Sequence, residues 1–343
     1  MILCQIPQLR HHKIISWRVH MKSITKTNIS KEQIIYLVKK GFGQEAVADD
    51  IVELEEGFFN TAYLVTVNGT KTVLKVAPPK DVAVMRYEKN LMRNEVTVLR
   101  AMSETGKIPV PRVLYYDTDR DMIDNEYFFM EFVQGSPMNN IHENLTEVQK
   151  QQVSEQLGKI AKEITNVYSE YFGDISNKEK QFPTWKEAFN FMIAELVKDA
   201  REKEAQLPIA YDEIGMLFNK HSHVLDKVEK ASLVHKDLWM GNIFIDEHTA
   251  EIKGIVDCER AVYGDVLLEP VCGFLLEDSV FMNNFYGKAE LTSDEKIRTM
   301  LYRFYLLLIM IIECSFRLYE DDWLEKWARE QLGAAIADLA GLQ

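Results

Sequence analysis

The chain has 343 residues, 47% hydrophobic and 27% charged, with a formal net charge of −13. That balance suits a globular chain of two domains or two lobes with a sizeable core, speaks against nucleic acid as a partner and favours a cationic ligand. The four cysteines, Cys4, Cys258, Cys272 and Cys314, are scattered without metal-ligand spacing, which excludes a structural zinc or a disulfide framework and points to a reducing, cytoplasmic setting.

Residues 1–28 carry five Lys or Arg, three His and no acidic residue. No long apolar stretch or small-residue cleavage site accompanies them. Met21 opens Met-Lys-Ser-Ile-Thr-Lys in the manner of a start, so 1–28 is expected to be a disordered or loosely packed basic extension. Ser30-Lys-Glu-Gln33 has the form of a capping box, and Ile34, Ile35, Leu37 and Val38 then give a helix an apolar face. Apolar segments follow at Ile51 to Glu55, Thr61 to Val67 and Lys71 to Ala77. Asn68-Gly69 between the last two is a hairpin signal, so this part of the chain is expected to hold an antiparallel sheet.

Between the first two strands lies Glu56-Gly57-Phe58-Phe59-Asn60, a loop with one glycine whose default reading is a plain turn. Lys75 sits inside the third strand, and alternation alone would make it solvent-facing. A helix from about Met85 to Met102 puts Glu95 on one face with Met92, Val96, Leu99 and Met102. A carboxylate on an apolar face needs a partner, and Lys75 is the obvious one, with Glu88 as the rival acid.

Strands are expected after Ile108-Pro-Val-Pro and over Tyr127 to Val133, where Gln134-Gly135-Ser136-Pro137 marks a change of lobe. The domain boundaries are therefore 29–133 and 134–343. From the capping box Thr146-Glu-Val-Gln149 onward the pattern is mainly helical, with helices after Trp185, over Tyr211 to Lys230, Val271 to Asn283, Ser293 to Tyr319 and Asp322 to Leu342. The longest apolar run, Phe304 to Ile312, is too short to span a bilayer and reads as a buried core helix, so no membrane partner is expected.

One stretch interrupts the helices: Leu233-Val-His-Lys-Asp-Leu-Trp-Met-Gly-Asn-Ile-Phe-Ile245, followed by Ile252-Lys-Gly-Ile-Val-Asp257. Short strands are expected at Ile243 to Ile245 and Ile252 to Val256, with His235, Asp237 and Asn242 on the preceding loop and Asp257 at the last strand's end. Such a set suits metal-dependent phosphoryl transfer, in which one carboxylate orients a hydroxyl while an amide oxygen and a second carboxylate hold magnesium against nucleotide phosphates. His-x-Asp with Asn five residues after the Asp is the spacing of a kinase catalytic loop, but Asp257 is followed by Cys258 and Glu259 rather than Phe-Gly.

Val-His-x-Asp-Leu-x-x-x-Asn-Ile with a later Ile-Val-Asp, then Gly264-Asp265 and Glu269-Pro270, resembles the aminoglycoside phosphotransferase and choline kinase superfamily. The resemblance implies an α+β, protein-kinase-like fold of two lobes: a small antiparallel sheet with one key helix, then a mainly helical lobe. It implies Asp237 as the catalytic carboxylate, His235 and Asp265 as supports of the loop, and Asn242 and Asp257 as magnesium ligands. Nucleotide contacts fall to Gly57 and Asn60, to Lys75 paired with Glu95, and to the main chain at Glu131, Phe132 and Val133. The implied cofactors are ATP or GTP with Mg2+, and the implied partner is a small-molecule hydroxyl acceptor, with the chain a monomer or dimer.

Choline, a macrolide, a fructosamine, methylthioribose or homoserine stand beside an aminoglycoside as acceptors, and a nucleotide-binding regulatory protein and a protein kinase stay open. Lys236 stands where these enzymes often have glycine. Trp185 and Trp239 either line the acceptor pocket or pack between helices. The acidic residues Glu259, Glu277, Asp278, Glu313 and Glu320 to Asp322 read as background.

Overall fold

Asn68 and Gly69 both adopt positive φ, 49° and 78°, the geometry of a two-residue hairpin turn whose twist matches that of its strands. The turn sets the register of β2 (Thr61–Val67) and β3 (Thr70–Val76), with Val67 opposite Thr70 and Thr61 opposite Val76. A computed structural model of the chain describes residues 25–54, 59–319 and 321–342. These fall into two compact units, one of 25–82, 113–132 and 317–321, the other of 83–112, 133–316 and 322–342.

The first unit is a five-stranded antiparallel sheet in the order β1-β2-β3-β5-β4, completed by β1 (Ala48–Leu54), β4 (Val113–Asp117) and β5 (Tyr127–Glu131). Helix α1 (Lys31–Phe42) begins at the Ser30 capping box and buries Ile34, Leu37 and Val38 against Val65, Leu74, Val76 and Phe129 of the sheet. Burying each such side chain contributes about 1.5–3 kcal/mol, so this apolar face holds the helix in place.

Residues 25–28, expected in a loosely packed extension, are instead tied to the sheet. The Thr27 N–H donates to Thr61 Oγ1 at 2.8 Å and its hydroxyl to the Ala77 carbonyl at 2.8 Å. A threonine beside a strand end can satisfy donors and acceptors that the ladder leaves over. Residues 1–24 and the expected Gly57 loop contact lie outside the described residues.

The second unit takes in α2 (Leu91–Glu104), which the expected boundary of 29–133 groups with the sheet. This helix starts later than periodicity suggests because Asn90 turns left-handed, φ 67°, after a single 3-10 turn at Arg86–Glu88. After the lobe change come β6 (Ser136–Pro137), α3 (Met138–Ile141) and α4 (Glu147–Thr165), the last begun by the Thr146 capping box. Strands β7 (Tyr168–Ser169), β8 (Phe172–Asp174) and β9 (Gln181–Phe182) precede helices α5 (Trp185–Glu202) and α6 (Tyr211–His221). Then come β10 (Ala231–Val234), β11 (Ile243–Ile245), β12 (Ile252–Ile255) and β13 (Val262–Gly264).

Strands β7, β10, β13, β8 and β9 form one small sheet in that order, and β12, β11 and β6 another. The chain ends in α7 (Leu268–Cys272), α8 (Ser279–Phe285), α9 (Ser293–Arg317) and α10 (Trp323–Ala340). The single helix expected over Val271 to Asn283 is broken because Phe274 is left-handed, φ 57°, and Asp278 caps a new helix. By length and composition α9 is apolar enough to cross a membrane, yet 67% of that apolar window is buried within the protein, as in a core helix.

Gly135, at the lobe change, has φ 110°, and a Cβ there would lie 2.6 Å from the Ile245 carbonyl oxygen. Gly135→Ala is therefore expected to cost about 2 kcal/mol or more, combining left-handed strain with a backbone clash. Denaturant unfolding measures this, and a variant within 0.5 kcal/mol of wild type would show that the turn relaxes freely.

Candidate active site

Every residue of β10 is buried, and the chain leaves it directly into His235, Lys236 and Asp237. Glu269 on α7, fully buried, accepts the main-chain N–H of His235 at 2.6 Å and of Lys236 at 3.1 Å. Burial pushes its carboxyl up to about 7, although these two N–H bonds pull the other way. His235 Nε2 lies 3.1 Å from the Val256 carbonyl, and its Nδ1 accepts the Asp237 N–H at 3.3 Å. Together the two bonds require the neutral tautomer with its hydrogen on Nε2.

Asn242 Nδ2 donates to the Asp237 carbonyl at 2.8 Å and to Asp237 Oδ2 at 3.2 Å. The Val256 N–H in turn donates to the Asn242 carbonyl at 3.0 Å. The loop carrying Asp237 is thus tied at both ends to the strand end that presents Asp257. That over-determination holds a side chain in one geometry, as a reacting group requires.

Asp257 follows β12 in a left-handed conformation, φ 62°. Its carboxylate and those of Glu95 and Glu259 each offer an oxygen, all within 4.8 Å of one another. Helix α2 is held there because Asn94 Nδ2 donates to the carbonyls of Glu259, 2.7 Å, and Ala261, 2.9 Å. Like charges this close disfavour one another unless a cation or protons intervene. A donor set made only of oxygens fits a hard divalent ion such as magnesium and does not fit a thiolate-seeking metal.

Asp265 is an anchor. Its Oδ2 lies 2.8 Å from Arg298 Nε and accepts the Tyr302 hydroxyl at 2.7 Å, while Oδ1 accepts the Leu267 N–H at 3.2 Å. Tyr302 also accepts the Trp185 indole N–H at 2.8 Å. Trp185 is fully buried beside Phe172 and Phe189, so it packs the core and does not line a pocket. The Trp239 ring lies 2.1 Å from where a Cβ on Gly241 would sit, so only glycine fits at 241.

Of the expected nucleotide contacts, Asn60, Lys75, Glu131 and Phe132 belong to the first unit. Lys75 is buried in the central strand β3, paired with Ala62 and Phe128, and is not solvent-facing. Asn60 is buried, and its Oδ1 has no hydrogen-bond partner among the described residues. Glu131 ends β5, and the Phe132 ring lies 5.4 Å from the Lys71 ammonium. Val133 opens the second unit, its Cγ1 2.6 Å from where a Cβ on Gly254 would sit.

Within the second unit the structure brings His235, Asp237, Asn242 and Asp257 together and adds Glu95 through its approach to Asp257. Sequence reasoning missed Glu259, Asn94 and the burial of Lys236, and singled out Glu269 with Pro270 without its grip on the loop. Asp-x-Glu at 257–259 was a usable sign of a second acid. Asn94 carried none, because its partners are carbonyls about 165 residues away.

A family model described as a phosphotransferase enzyme family matches residues 50–283. No curated protein matches the chain. Among solved structures, a putative fructosamine-3-kinase from Thermobifida fusca is similar at 18% identity and a TM-score of 0.66, over 91% of this chain and 100% of that one. One from Haemophilus somnus stands at 17% and 0.64, over 89% and 97%. A thermostable mutant of the aminoglycoside phosphotransferase APH(4)-Ia, solved with AMP-PNP and hygromycin B, stands at 16% and 0.64, over 90% and 100%. These likenesses show a shared fold, the α+β kinase-like architecture that the motifs implied.

Proposed function

The chain belongs to the phosphotransferase enzyme family, and from that premise we propose that it transfers the γ-phosphoryl group of ATP to a hydroxyl of a small molecule, with magnesium. The observation that carries this reading is the tied loop that holds Asp237 beside Asn242 while Asp257 sits in a cluster of carboxylates. The complex of a structural neighbour with AMP-PNP supports a nucleotide as the donor.

Asp237 accepts the proton of the acceptor hydroxyl as its oxygen bonds to the γ-phosphorus. The bond from that phosphorus to the β–γ bridging oxygen breaks, and ADP leaves. Asn242, through the bond from its Nδ2 to Asp237 Oδ2, keeps the carboxylate aimed, and its own side-chain oxygen with Asp257 holds the metal. Glu95 and Glu259 add negative charge next to Asp257. When bound, magnesium neutralises charge on the phosphates. Contacts to the α- and β-phosphates fall to Lys75, and contacts to the rest of the nucleotide to Asn60 and the main chain of Glu131 to Val133.

The test is magnesium-dependent ATP turnover by the full chain against a panel of aminoglycosides, choline, ethanolamine, sugars and hydroxy acids. Acceptor-stimulated turnover is the expected result. ATP bound without stimulation by any acceptor would leave a regulatory nucleotide-binding role. Asp257→Ala is expected to raise the magnesium concentration for half-maximal activity by about tenfold or more, while Asp278→Ala, at a helix cap on α8, leaves it unchanged. Equal magnesium dependence in both variants would remove Asp257 from the metal site.

A further inference from the structure

Lys236 precedes Asp237 and combines two costs. Its backbone is left-handed, φ 66°, a conformation that favours glycine. Its side chain is buried, with the residue 6% exposed. The ammonium donates to the Tyr305 hydroxyl at 3.0 Å and lies 5.2 Å and 5.3 Å from the ring centres of Tyr87 and Tyr305. Among the described residues no carboxylate lies within ion-pairing distance of it. A buried charge without a counter-charge costs several kcal/mol, so a fold retains one where a ligand supplies the opposite charge.

Lys236 lines a cavity of about 60 Å3 within the second unit, room for a few water-sized groups. None of the carboxylates around that cavity pairs with Lys236. Asp174 Oδ1 accepts from the Ser176 N–H and hydroxyl and from the Asn177 N–H. Glu195 pairs with Lys198 at 2.8 Å, Asp199 pairs with Arg86, and Glu259 faces Glu95 and Asp257. Arg260, also in the lining, reaches Glu313 only at 3.4 Å. Of the cations in this lining, Lys236 is buried and makes no ion pair with a described residue, in a chain whose total is −13.

We infer that the acceptor carries an anionic group, a carboxylate or a phosphate, which docks on the ammonium of Lys236 and so places the acceptor's hydroxyl at Asp237. This inference rests on the phosphotransferase reading for the hydroxyl's fate and names the substrate class of the same site. It departs from the cationic ligand that the net charge favours, because recognition follows the local charge in a low-dielectric cavity and not the sum over the surface. Burial pushes the ammonium down to about 8, with Arg260 adding to the fall and the charges of Asp174 and Asp237 opposing it. Lys236 is a positioning residue, since it holds the acceptor and takes no proton.

The experiment is calorimetric titration of the full chain, with magnesium and AMP-PNP present, using glycerate and glycerol 3-phosphate, ethanolamine and choline, and glycerol as probes. Wild type is expected to bind the anionic probes, Lys236→Met to bind them roughly 30-fold or more weakly, and Lys236→Arg to recover part of the loss. Thermal unfolding of both variants separates lost binding from lost folding. Binding of cationic or neutral probes alone, binding of none, or equal anion binding by Lys236→Met overturns the inference. Titration with magnesium and AMP-PNP alone tests the phosphotransferase reading separately, since its failure there leaves the anion result standing or falling by itself.

Discussion

Asp237→Ala is expected to lower acceptor-dependent turnover by a factor of roughly 10²–10⁴ while nucleotide binding stays within a few-fold of wild type. Much of the main chain around Asp237 is held independently of its carboxylate. Glu269 fixes the N–H groups of 235 and 236, His235 accepts the Asp237 N–H, and Asn242 retains its bond to the Asp237 carbonyl. Removing the carboxylate therefore deletes the proton acceptor and leaves the loop in shape. Asp237→Asn keeps the size and loses the basicity, so it should match Asp237→Ala in kcat. A kcat in either variant within threefold of wild type would exclude this residue as the base, and a parallel loss of nucleotide affinity would mean that the loop had collapsed.

For Asp265→Ala the expected loss is in stability, about 3–5 kcal/mol, because the substitution strands a buried guanidinium. Arg298 is 8% exposed, and its ion pair with Asp265 at 2.8 Å is joined by the Tyr302 hydroxyl, itself bonded to Trp185. A drop in Tm on the order of 10 °C follows for a unit of this size. Asp265 directly follows β13, which pairs with β10 through Ser232 and Gly264, and β10 leads into the loop that carries Asp237. Activity should therefore fall together with stability and recover at lower temperature. Adding Arg298→Met to Asp265→Ala should restore part of the stability, since no unpaired charge then remains buried. A double variant no more stable than Asp265→Ala would show that the ion pair is not the source of the loss.

Much of the fold was legible in the chain. Capping boxes at Ser30 and Thr146 begin helices where expected, and Asn68-Gly69 makes the hairpin, because each signal is complete within a few residues. Two boundaries shift at residues that turn left-handed without being glycine, while the helix expected over Tyr211 to Lys230 gives way after His221 to a 3-10 stretch. Asn90 delays α2 and Phe274 splits the helix expected after Pro270. In the small sheets of the second unit β11 and β12 stand where expected, whereas strands of two residues, such as β6 and β7, are too short to show alternation and went unseen.

The candidate site divides along the same line. His-x-Asp, the Asn five residues on and the Asp that follows β12 lie in one stretch, where spacing along the chain is enough to set their geometry. The meeting of Glu95 with Asp257 and Glu259, the grip of Glu269 on the loop and the burial of Lys236 depend on segments distant in sequence being packed together. Burial and charge compensation are properties of an assembled interior. A lysine beside an aspartate looks the same in the chain whether it points to water or into a cavity, and only packing decided that this one is enclosed.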